Sequence, residues 1–129
     1  MSSSIISIFN NHFIEFLDDV QNVFPEDVDI KTAKNSILTI RKTNPKLLIK
    51  IWKKYVVNRY QKEISEGNID FFILKDYSND LVKNDHSNQI MEAIDRLREP
   101  VRLMTKENQE KTMKYIQNLS KLALAAPTD

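Results

Sequence analysis

One glycine in 129 residues is the tightest constraint on what this chain can fold into. Hairpins, phosphate cradles and catalytic loops need backbone with positive φ, and glycine normally supplies it. The chain has Gly67 and four prolines, and so few tight turns. That favours helices joined by short polar links.

The apolar pattern points the same way. Ile6, Phe9, Phe13, Phe16, Val20 and Val23 recur in steps of three and four, which predicts a helix over 5–24. Ser3 or Ser4 is a candidate cap for it, and Pro25 ends it. Asp27 or Asp29 can cap a second helix that turns Ile30, Ala33, Ile37 and Ile40 inward. Asn44-Pro45 ends that helix and starts a third, over about 45–65, with Pro45 in its first turn. At 100° per residue Leu47, Leu48, Ile51, Trp52, Tyr55 and Val56 share one side of it. Lys46, Lys50, Lys53 and Lys54 share the opposite side with Val57 and Gln61. Arg59 falls on the apolar side, where it snorkels or meets a carboxylate. Gly67 is the expected left-handed cap.

Residues 68–83 hold the apolar run Phe71 to Leu74, which fits a short strand. Ile69, Phe72, Ile73, Tyr77 and Leu81 keep helical spacing, and no second strand is on offer to pair with it. The segment reads as a helix capped by Asn68 and broken near Ser78, followed by a turn at 84–88. Ile90, Ile94, Leu97, Val101 and Met104 form the next stripe, which passes through Pro100 in phase. An interior proline costs about 3 kcal/mol, so this is a kinked helix or two short ones. Thr105 caps the last helix, where Met113, Ile116, Leu119 and Leu122 face inward. The expected architecture is all-α: a compact single-domain bundle of five or six helices over 1–129, with a frayed tail at about 126–129.

Charge is segregated along this chain. Residues 31–62 hold ten Lys or Arg and no acid. The thirty residues before them hold six acids and no Lys or Arg. Residues 63–95 hold eight acids against two bases, and the net charge of the whole is +1. Lys34, Arg41, Lys42, Lys46, Lys50, Lys53 and Lys54 are therefore the candidate binding residues, for nucleic acid or for an acidic partner. Tyr60 is a candidate for stacking a base, whereas Trp52 belongs to the core. Two plainer readings compete. A lysine row opposite an apolar row is what a solvated helix looks like. The block can also be matched inside the fold by the acidic segments. A pI of 7.9 is low for a nucleic-acid domain.

Other classes are disfavoured. Without cysteine there are no disulfides and no thiol chemistry. No apolar run reaches the length of a membrane span, and the N-terminus lacks a signal-peptide pattern. No P-loop, G-x-S-x-G, H-E-x-x-H or EF-hand pattern occurs. His12, Glu15 and Asp19 share a face of the first helix and could hold a divalent metal. No second ligand set follows from spacing, and His86 lies in a turn. A surface histidine among solvated acids is the simpler account, so no catalytic residue, metal or cofactor is assigned.

The segments FNNHF (9–13), NPKLLIKIW (44–52), DFFILKDYSNDL (70–81), EAIDRL (92–97) and YIQNLSKL (115–122) resemble an uncharacterised small-protein family of nucleocytoplasmic large DNA viruses of algae and protists. The likeness covers about 8–124 and includes no chemical motif. It implies an intracellular protein of the infected cell, its viral factory or the virion. The combined expectation is a non-enzymatic, non-secreted interaction protein. It acts on a protein partner or a second copy through segregated acidic and basic faces. Membrane binding and a small-molecule substrate are not expected. The alternative is sequence-independent nucleic-acid binding by the 31–62 block, and a metal-dependent enzyme comes third.

Overall fold

The computed structural model describes residues 2–74 and 87–126, with side chains placed for 5–73 and 89–126. Every regular element among the described residues is helical. The elements are α1 (Ser2–Val23), α2 (Val28–Thr43), α3 (Pro45–Trp52), a π-helical segment (Lys53–Val57), α4 (Asn58–Ser65), α5 (Asp70–Leu74), α6 (Ser87–Arg96), α7 (Arg98–Arg102) and α8 (Lys106–Ala125). The π segment runs directly from α3 into α4, and the rod kinks at Tyr60, whose backbone (φ −127°, ψ 29°) is not helical. The result is an all-α bundle. No described helix is long and apolar enough to cross a membrane.

Local chemistry sets the joints. α1 starts at Ser2, so Ser3 and Ser4 lie inside it rather than capping it, and it stops two residues short of Pro25. Asp27 caps α2 by accepting from the Ile30 N–H at 3.1 Å. Thr105 caps α8 by accepting from the Asn108 N–H at 3.2 Å. Gly67 sits at φ 71°, and the Asn68 N–H reaches back to the Glu63 carbonyl at 2.9 Å. That six-residue closure satisfies a terminal carbonyl that would otherwise be orphaned. Asn68 Oδ1 accepts from the Asp70 N–H and starts α5. The expected break near Ser78 and the turn at 84–88 lie outside or at the margin of the described residues.

Pro100 separates two short helices. The chain breaks at Leu97, whose N–H bonds Ile94 three residues back, and α7 begins at Arg98. This places Pro100 in the first turn of α7, where its missing N–H is not needed. The break also relieves the clash between the proline ring and the carbonyl four residues earlier.

The core centres on Trp52, which is fully buried. Phe13 stands edge-on to its ring at 5.4 Å, and Phe9 lies at 6.4 Å. The indole N–H donates to Ser120 Oγ at 3.2 Å, and Ser120 in turn donates to the Ile116 carbonyl. One side chain thus joins α1, the α3 rod and α8. Around it α1 packs on α8 and α2, and α2 packs on α3 and α6.

The π segment revises the expected faces of the third helix. The Asn58 N–H bonds the Lys53 carbonyl, five residues back. Each residue then turns less than 100°, so Tyr55, Val56 and Val57 all stay buried. Val57 leaves the lysine face that regular spacing assigns it. Arg59 is rotated out of the core, and its guanidinium lies 5.5 Å from the centre of the Tyr55 ring. An exposed cation–π contact is worth roughly 0.5–1 kcal/mol. Arg59 is exposed, so Arg59→Ala is expected to cost about 1 kcal/mol or less in urea unfolding, as surface substitutions do. An arginine with its charge buried in the core would instead lose roughly 3–5 kcal/mol.

Candidate binding face

The candidate face is built around the α2–α3 corner. Arg41 and Lys42 lie in the last turn of α2, where cations suit the helix dipole. A single residue, Asn44, closes α2 through its N–H to the Ile40 carbonyl at 2.7 Å, and Pro45 starts α3. Asn10 of α1 pins this corner. It is 3% exposed, and its Nδ2 donates to the Pro45 carbonyl at 2.9 Å. Its Oδ1 is buried without a partner. A cavity of about 280 Å³ beside it is flanked by Arg41 and Lys46. Asn10 was not singled out by the sequence. It sits at the flank of an apolar stripe, which gives no hint of a partner thirty-five residues away.

The structure divides the seven sequence candidates. Arg41, Lys42, Lys46, Lys50 and Lys54 are exposed. Among the described residues, Arg41, Lys42, Lys46 and Lys50 have no ion pair. Lys54 Nζ lies 5.3 Å from the Tyr55 ring centre. Lys53 is half-buried beside it. Lys34 leaves the group: its Nζ lies 2.6 Å from Asp18 Oδ1 and 3.2 Å from Gln21 Oε1. Matching by the acidic first helix is real at Lys34, and it does not extend to the corner.

The aromatic expectation also changes. Tyr60 is half-buried, with its ring centre 5.1 Å from that of Phe71. Among the described residues no Phe, Tyr or Trp is exposed.

The His12 face is not assembled as a ligand set. His12 Nδ1 stands 3.6 Å from Glu15 Oε1, and its ring lies 4.9 Å from that of Tyr115. Asp19 instead accepts from the Tyr115 hydroxyl at 2.7 Å. Among the described residues no three His, Cys, Asp or Glu side chains are placed to hold a metal ion. The Tyr115 phenol is pushed well above its ordinary 10.0, first by burial, then by the Asp19 bond and the nearby acids. Its folded value is raised, so its contribution to stability is full below pH 10 and is lost as the pH rises beyond it.

No protein-family model, curated protein or solved structure matches this chain.

Two outcomes test this geometry. Asn10→Asp swaps the donor for a second acceptor against the Pro45 carbonyl, and is expected to cost about 2–3 kcal/mol in chemical denaturation. Asp19→Asn is expected to lower the Tyr115 midpoint in an ultraviolet titration. The midpoint should stay above 10.0, because burial is the leading cause and survives the change.

Proposed function

We propose that this protein is a non-enzymatic binding protein whose exposed corner, Arg41, Lys42, Lys46, Lys50 and Lys54, engages an acidic protein surface. The observation that supports this most is that four of these five cations are exposed and unpaired among the described residues. Lys46 and Lys50 are one turn apart, about 6 Å along the axis. Acids at the same spacing on a partner helix match them. Complementary charge of this kind steers encounter and register. The exposed Glu15 and Glu26 of a second copy belong to the same class of surface. An intracellular, viral setting is part of the proposal and rests on the likeness of the quoted segments.

Sequence-independent nucleic-acid binding is the second reading, and the same unpaired cations favour it. The lack of an exposed aromatic ring among the described residues argues against base stacking, which single-strand binders use. Backbone contacts to a duplex remain compatible with the face.

The test is charge reversal of Lys46, Lys50 and Lys54 to Glu, with the fold checked by circular dichroism. The parent is expected to bind a glutamate-rich helical peptide more tightly than a mixed-sequence duplex, with affinity falling as salt rises. The variant should lose at least about tenfold. Tighter binding to the duplex, with a steep salt slope, assigns the face to nucleic acid. If neither probe binds at low salt, the reading fails.

A further inference from the structure

We propose that the groove between α4 and α8 binds a single-chain aliphatic carboxylate. The groove has a volume of about 680 Å³, within the range of small-ligand sites. Its walls are apolar at Val57, Ile64 and Leu124, and its rim holds Lys62 and Lys121. No acid lines it. Neither lysine has an ion pair among the described residues. Leu124 is 49% exposed, so apolar surface stands open to water beside two unpaired cations. A ligand that satisfies both needs an aliphatic tail and an anionic head.

The π segment builds this groove. Regular α spacing would turn Val57 to the lysine face, away from α8. The five-residue hydrogen bond keeps it inward, where it forms part of the wall. Local π turns recur at functional sites for this reason: they re-aim side chains at the cost of weaker helix geometry. The floor is held in place as well. Gln117 Nε2 donates to the Ile64 carbonyl at 2.9 Å and ties α8 to α4 across the groove. Ser120, which accepts from the Trp52 indole, also lines it.

The other large cavity, about 620 Å³, offers no such vacancy of charge. Its Arg96 pairs with Asp29, and its Arg102 pairs with Glu99. Arg98 Nε lies 3.0 Å from Asp95 Oδ1, though not aligned as a hydrogen bond. None of the corner cations, Arg41, Lys42, Lys46, Lys50 and Lys54, lines the α4–α8 groove, so the inference is independent of the acidic-partner reading.

The test uses the full chain and monomeric dodecanoate, read by calorimetry and by the fluorescence of Trp52, the single tryptophan. Saturable binding is expected. Shortening the ligand to decanoate should weaken it by up to about fifteenfold, since each fully buried methylene contributes about fourfold. Dodecanol should bind more weakly than dodecanoate. Lys62→Gln with Lys121→Gln should bring dodecanoate down to the dodecanol level. Leu124→Glu should weaken both ligands. The Lys46, Lys50, Lys54 charge-reversed chain should bind dodecanoate as the parent does, which separates this site from the binding face. Vesicles of phosphatidylcholine with phosphatidylserine form the second arm. A response to vesicles with none to monomeric dodecanoate means surface charge alone, and overturns the groove. So does equal affinity in the folded Lys62, Lys121 variant, or the absence of heat and fluorescence change up to the solubility limit of the monomer.

Discussion

The indole of Trp52 is the contact on which the arrangement of the bundle depends. It is fully buried, stands edge-on to Phe13 and donates its N–H to Ser120. Removing a buried tryptophan of this kind costs roughly 3–5 kcal/mol, a large part of the stability of a domain this size. Its geometry matters as much as its area. A ring that fits between α1 and α8 needs the α3 rod at one rotation, because the N–H must meet a hydroxyl on the facing helix. Burying that N–H without a partner would remove much of what the ring contributes.

That rotation creates a conflict further along the rod, and the π segment resolves it. Tyr55, Val56 and Val57 are consecutive apolar residues, and a regular helix cannot turn all three inward. With Trp52 held in place, the chain widens one turn instead. Val57 then faces α8 and Arg59 swings out onto the Tyr55 ring, while a kink at Tyr60 precedes the buried Ile64. The lysines at 46 and 50 precede the widened turn and keep their outward direction. Two local departures from regular geometry, the widened turn and the kink at Tyr60, thus separate a basic face from an amphipathic groove on the same rod.

Charge follows a similar division. The acidic first helix packs beside the basic second one, yet their contact neutralises Lys34 through Asp18 and, among the described residues, leaves Arg41, Lys42, Lys46 and Lys50 without an ion pair. The reason is position. Lys34 lies in the middle of α2, within reach of α1, whereas Arg41 and Lys42 lie at its end and Lys46 begins the next helix. Asn10 holds that corner through the amide it offers the Pro45 carbonyl, a neutral contact that consumes none of the positive charge.

The local content of this fold was legible in the sequence: apolar stripes of helical period, Asp27 and Thr105 as caps, Gly67 as the left-handed stop, Pro100 as a break. Each depends on residues within one or two turns of each other, and propensity, capping and sterics act over that range. The candidate lysines were legible too, because charge counts need no coordinates. What the tertiary structure alone decided is which of those cations lack an ion pair among the described residues, that Val57 and Arg59 exchange their expected sides, and that Asn10 and Ser120 anchor partners far away in the chain. Those outcomes depend on how three helices fit around one indole. Periodicity assumes a uniform 100° turn and holds no information about the neighbour against which a face must close.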